Sequence, residues 1–267
     1  MTKPTYYIIF RTCDVVHSLH NAPRPFNLDK RTLIKVCFMS LYTSVASYNH
    51  KIVILGDRLS EEMLKFFKQF PVTILNEELG NDKSIRRSIE LATTQDDDVW
   101  VYMCEDDYLH HPDAFLWMTD LIENRRQYVS QRPKFRLRRG ANRLSNKPLF
   151  IHPPDYPDRY LRRYMSYSLI FAGKYCHWRQ VTSTTFTILA TAVTFKKYLR
   201  LFIASSRGAR DQYLSKKIFG GRWFGRKSLC LSPIPGVATH MHEEVMTPLV
   251  DWEGIYKNML IELEGQK

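Results

Sequence analysis

The sequence predicts an α/β domain with a mainly parallel sheet flanked by helices. Three observations carry this. Short apolar runs alternate through the first half with stretches of helical spacing. Polar and acidic residues follow each apolar run directly, as they do at the carboxyl ends of sheet strands. The 267 residues, 44% hydrophobic and 25% charged, have globular composition and suit one large domain.

In chain order, residues 6–10 (YYIIF) read as a first strand, rich in aromatic and branched side chains. Residues 31–48 place Ile34, Cys37, Phe38, Leu41, Val45 and Tyr48 on one helical face. KIVIL, 51–55, is a second strand closed by Gly56. Ser60 caps a helix expected to reach Phe70. VTIL, 72–75, is a third strand, and 82–93 a helix with Ile85 and Ile89 inward. Residues 99–104 (VWVYMC) form a fourth strand. Pro112 opens a helix expected to run to about Ser130. The second half is less regular. A short strand is expected at 169–172, with helices at 191–204, 209–219 and roughly 251–263.

The chain carries a formal charge of +12, which implies an anionic partner. All of the excess lies between Arg125 and Arg179, where fourteen Lys or Arg face two Asp. This segment reads as a basic, loop-rich lobe. The five cysteines are scattered without a CxxC pair, which argues against a disulfide scaffold or a cysteine zinc site and suits a reducing compartment. No apolar run is long enough for a signal peptide or a membrane span. A cytoplasmic protein is expected, and the charge leaves peripheral membrane contact open.

The strongest local signal is VWVYMCEDDYLHHPDAF, residues 99–115, which delivers Glu105, Asp106 and Asp107 to a strand end. Three like charges together are costly unless a cation or hydrogen-bond donors compensate. Oxygen-rich clusters suit Mg²⁺ or Mn²⁺, which keep waters and take substrate phosphates. A solvated acidic turn is the alternative. Asp96-Asp97-Asp98 has the same letters but precedes the strand, at the wrong end of the sheet, and reads as a turn.

The 99–115 stretch resembles the DxD-type motif of GT-A-fold glycosyltransferases, and its Tyr-Leu-His-Pro-Asp continuation is similar to family 2 members, with one extra His at His110-His111. The resemblance spans residues 6–125. It implies a Rossmann-like GT-A sheet, a nucleotide-diphosphate sugar donor and a divalent metal, Mn²⁺ or Mg²⁺. Residues 1–125 would then bind the nucleotide sugar. Residues 126–267 would bind the acceptor, with the basic insertion at 126–179 and C-terminal helices. Under an E-D-D reading Asp107 binds metal, with Glu105 and Asp106 toward the nucleotide. Under a stricter alignment Cys104 fills the first acidic position and Asp106 binds metal. By position after the strands, Arg11, Thr12, Asp14 and Asp57 become candidates for the nucleotide, as do Lys83 and Arg87 on the helix before the acidic strand. His240 and His242, at alternate positions in a late segment, are candidates to complete the metal shell.

Inverting transfer also needs a base for the acceptor hydroxyl. Asp211, in SRGARDQY, matches the place of the family's base, although Arg210 stands where Glu is common. A dipole-favoured helix-start Asp is the alternative. Trp178 and Thr184 precede it as candidates for the acceptor floor, against a plain core Trp. The acceptor class stays open among glycan, lipid-linked and protein hydroxyls. The rival reading is a protein that binds nucleic acid or an anionic surface through 125–179. No helix-turn-helix, zinc or RNA-binding signature accompanies the charge, so nucleic acid is not the expected partner.

Overall fold

In the computed structural model, which describes residues 3–15, 23–128, 147–161, 168–219 and 228–265, the first half follows the strand–helix alternation closely. Its elements are β1 (Tyr6–Thr12), α1 (Lys30–Val45), β2 (His50–Asp57), α2 (Glu61–Phe67), β3 (Thr73–Glu77), α3 (Gly80–Thr93), β4 (Trp100–Glu105), β5 (Tyr108–His110) and α4 (Ala114–Asn124). The second half adds β6 (Leu149–Ile151), β7 (Ile170–Ala172), β8 (His177–Gln180), β9 (Ile188–Thr191), α5 (Ala192–Ser206), α6 (Asp211–Phe219), β10 (Leu229–Ile234), β11 (Ala238–His240) and α7 (Trp252–Gly265).

Among the described residues nine strands form one sheet in the order β3-β2-β1-β4-β9-β6-β10-β8-β7. The first four strands pair in parallel. Beyond β4 the pairing is mixed: β9 runs antiparallel to both β4 and β6, β6 and β10 are parallel, and β8 is antiparallel to β10. The sheet thus continues from the first half of the chain into the second.

Side chains alternate across the strands and so divide the core. Tyr6, Ile8 and Phe10 pack with Ile34, Phe38, Phe67 and Phe115 on one face. Tyr7 and Ile9 pack with Ile85, Ile89, Phe195 and Phe202 on the other. With both faces of β1 covered by helices, the strand is an unbroken apolar run, as buried parallel strands are. Local signals fix the helix starts. Asp29 caps α1 by accepting the Arg31 and Thr32 amides, and Ser60 caps α2.

Some expectations are corrected. The helix after Pro112 starts at Ala114 and ends at Asn124, followed by a single tight turn, Arg125–Gln127. The described stretches of the basic segment contribute β6, β7 and β8 to the sheet. Eight of its fourteen cations fall at 129–146 and 162–167, outside the described residues. Asp96–Asp98 does form a helix-to-strand turn, with the Val99 amide on the Asp96 carbonyl and Lys196 paired to Asp97. No helix among the described residues is long and apolar enough to cross a membrane.

Two buried histidines make the fold acid-sensitive. His110 Nε2 meets the Tyr102 hydroxyl at 2.8 Å, and burial drives its imidazole down to about 3. His152 is pushed well below its ordinary value by burial and by the Arg159 guanidinium. Both stay neutral in the folded chain where an unfolded chain, at the ordinary 6.5, already binds protons. Stability is therefore complete above about pH 6.5 and falls as the pH drops from there toward 3, each imidazole adding a slope of up to about 1.4 kcal/mol per pH unit. Thermal melts from pH 7.5 to 4.5 should trace that decline. The decline should be shallower in Tyr102→Phe/His110→Leu, which removes donor and acceptor together.

Candidate functional site

The carboxyl end of β4 lies in the middle of the sheet, between the ends of β1 and β9. The chain turns there through Asp106-Asp107 into β5, a three-residue strand that pairs antiparallel with β11. That ribbon sets His240 opposite Tyr108, one residue beyond Asp107. Residues far apart in sequence converge here because strand ends in one sheet must be neighbours.

Each carboxylate of the triplet has its own cation. Glu105 pairs with Arg11, which also donates to Asn81 Oδ1 and Ser84 Oγ. Glu105 further accepts from the Thr187 hydroxyl at 3.4 Å. Burial lifts its carboxyl above the ordinary range, with Arg11 opposing. Asp106 accepts from Thr12 Oγ1 at 2.9 Å and from the Cys13 amide at 3.0 Å on one oxygen, and from Lys30 Nζ at 2.7 Å on the other. Burial works against the Lys30 ammonium, but Asp106 and Asp107 outweigh it and hold the group charged.

Asp107 Oδ2 lies 3.0 Å from His240 Nε2. Burial would lift the Asp107 carboxyl, yet His240 beside it brings it well below the usual carboxylate range. The same pair raises the imidazole against the pull of burial. The His240 ring also stacks on the Tyr108 ring at 5.0 Å. Asp107 Oδ1 is the exception in this balanced cluster: it is buried and has no hydrogen-bond partner.

An unpartnered buried carboxylate oxygen fits a cation or a donor from outside the chain. Asp107 Oδ1 and the adjacent His240 match a hard divalent ion that keeps waters and takes phosphate oxygens. They do not match a closed zinc cage. Among the described residues no three His, Cys, Asp or Glu side chains converge as a metal-binding group, because Glu105 and Asp106 are turned to Arg11 and Lys30. Cys104, the first position of the stricter alignment, has its thiol in the core.

Of the residues singled out in the sequence, the fold brings together Arg11, Thr12, Glu105, Asp106, Asp107 and His240. His242 lies beside them, its ring 6.0 Å from that of His240, with Nδ1 accepting the Glu244 amide. Asp14 instead holds the start of α2, through the Ser60 amide and hydroxyl, and pairs with Arg31. Asp57 is bound to the Leu79 and Gly80 amides and shapes the turn into α3. Arg87 pairs with Glu77 and Glu90, and Lys83 is exposed.

Asp211 is the first residue of α6, with its carboxyl on the Gln212 amide and lifted by burial. The preceding turn is tied to α3 by the Gly208 amide on Asp82, and α3 also carries the Asn81 and Ser84 partners of Arg11. Thr184 is buried against Ser215 of α6. Trp178 is only 1% exposed, in the core with Phe171, and so presents no face that could floor an acceptor pocket.

Sequence reasoning missed Lys30, Thr187 and the hydroxyl group of Tyr108. Lys30 had a signal. A lysine in the first turn of a helix opposes the helix dipole, so its presence there calls for a nearby acid.

No protein-family model and no curated protein matches the chain. Solved structures similar to it include a 4-diphosphocytidyl-2C-methyl-D-erythritol synthase, at 9% identity and TM-score 0.43, over 98% of this chain and 100% of that one. Another is a nucleotidyl transferase from Methanothermobacter thermautotroptrophicus, at 8% identity and TM-score 0.45, over 97% and 99%. A third is the galactosyltransferase LgtC in complex with donor and acceptor sugar analogs, at 11% identity and TM-score 0.40, over 79% and 69%.

The paired charges make a stability test. Lys30→Met leaves Asp106, a mostly buried carboxylate, without its cation and should cost about 1–3 kcal/mol. For a chain of this size that is roughly 2–4 °C of Tm per kcal/mol. Adding Asp106→Asn should restore part of the loss, because the unpaired charge is then gone. Denaturant melts of the two variants measure both steps.

Proposed function

We propose that this chain is a metal-dependent glycosyltransferase of GT-A type that moves a sugar from a nucleotide-diphosphate donor to an acceptor hydroxyl, with inversion. One observation carries the reading. A strand-end carboxylate, Asp107, keeps a buried oxygen without a partner beside an imidazole, in a cluster whose other acids are already neutralised. That arrangement is suited to a cation shared with a phosphate group.

In this reading Asp107 Oδ1 and His240 are the groups that would hold Mn²⁺ or Mg²⁺, with His242 at the rim. Bound there, the ion supplies Lewis-acid neutralisation of a leaving diphosphate. Arg11, held between Glu105 and the start of α3, lies at the end of β1 on the expected nucleotide side. Thr12 and Asp106 fix the β1 end, while Asp14 and Asp57 set the loops around it. Asp211 receives the proton of the acceptor hydroxyl. As that oxygen bonds to the anomeric carbon, the bond from carbon to the diphosphate oxygen breaks and its electrons leave with the diphosphate. Burial makes the Asp211 carboxylate more basic than an exposed one, which favours this step. Acceptors in keeping with the reading are glycan, lipid-linked or protein hydroxyls.

A thermal-shift screen of UDP, GDP and TDP species with and without Mn²⁺ tests the proposal. One species should raise the Tm only with metal, by an amount equivalent to about 3 kcal/mol at a hundredfold excess over Kd. Asp107→Ala should abolish that rise. Asp211→Asn should keep it while slowing sugar transfer by at least about a hundredfold. Indifference of the Tm to every nucleotide would remove the enzymatic reading.

A further inference from the structure

Outside residues 125–179 the chain sums to zero charge, but that charge is unevenly placed. Residues 192–219 form α5, α6 and the turn between them, and carry seven Lys or Arg against one Asp. All seven cations are exposed, while the one acid, Asp211, is half-buried. No carboxylate is exposed anywhere from 192 to 219.

The exposed residues of α5 are Val193, Lys196, Lys197, Arg200 and Ala204. Steps of three and four residues put them on one face of a helix about 22 Å long, and Arg207 continues the row just past its end. The other side of α5, with Phe195, Tyr198 and Phe202, is buried in the core on the α3 face of the sheet. The α6 helix turns Leu214, Ile218 and Phe219 to that same core and exposes Tyr213, Lys216 and Lys217. Adjacent helices that bury their apolar sides in one core present their other sides outward together, so the two rows form one broad basic face.

Among the described residues Lys196 is the only one of the seven with a carboxylate partner, Asp97. Lys197 and Lys217 lie over the rings of Tyr198 and Tyr213, at 5.6 and 5.7 Å. Cations in the first half are handled differently: Arg31 and Lys35 share Glu62, and Arg86 and Arg87 share Glu90. Like charges at helical spacing repel when no acid stands between them, and an anionic surface laid over them reverses that cost. Two apolar side chains stand out among the cations, Val193 at 45% exposure and Tyr213 at 41%.

We propose that the exposed face of α5 and α6 docks on the surface of a bilayer that contains anionic phospholipids. Such a surface is broad and negative, and its attraction grows with each Lys or Arg laid against it. Long basic side chains place their stems toward the lipid and their charges at the headgroups, and a tyrosine ring suits the same level. Duplex DNA is a poorer match, because its major groove, about 12 Å wide, takes a single helix rather than two side by side. The inference stands apart from the glycosyl-transfer reading, since docking needs neither nucleotide nor metal.

Cosedimentation of the full chain with vesicles tests it. The chain should bind phosphatidylcholine vesicles containing about one-third phosphatidylserine at about 0.1 M salt, bind pure phosphatidylcholine far more weakly, and come off as salt rises toward about 0.5 M. Lys197→Glu/Arg200→Glu on α5 and Lys216→Glu/Lys217→Glu on α6 should each weaken binding at least about tenfold. Lys65→Glu/Lys68→Glu, which makes the same charge change on exposed residues of α2, should bind as the wild type does. Thermal melts establish that each variant is folded, and should one helix pair fail to fold, the other decides. Wild-type binding by the α5 and α6 variants overturns the proposal, as does equal loss in the α2 variant or equal binding to both vesicle types. Retention of mixed-sequence DNA by a chain that ignores anionic vesicles also overturns it, in favour of a nucleic-acid partner.

Discussion

The structure depends on how three adjacent carboxylates are kept charged at the end of a central strand. Two unit charges 4 Å apart interact by about 4 kcal/mol at an effective dielectric of 20, so an uncompensated triplet would repel itself by several kcal/mol. The fold answers each acid separately. Arg11 comes from β1, Lys30 from α1 and His240 from β11. No two of these cations are close in sequence, so the charge balance exists only when the sheet, the first helix and the β5–β11 ribbon are all in place. The acidic tip is thereby a product of tertiary structure, and it also fastens that structure together.

That balance bears on what the tip can bind. Arg11, Lys30 and His240 offset Glu105, Asp106 and Asp107, which leaves little net positive charge at the tip. An anion arriving here needs either a cation that comes with it or donors that are not already committed. Asp107 Oδ1 is the uncommitted acceptor for the first.

Much of the first half was legible because its signals are local. β1, β2 and β4 are apolar runs flanked by polar residues, and Asp29 and Ser60 are caps whose side chains act within three residues. The second half was less so. β6, β7 and β11 have three residues each, too few for a period, and their places are set by partners far along the chain. The acidic triplet and His240 could be read from residue type and spacing. Asp14 and Asp57 could not be distinguished from them in that way, since a carboxylate after a strand looks the same whether it faces a ligand or ties down a loop. Trp178 shows the opposite failure: aromatic character suggests a sugar platform and burial overrules it.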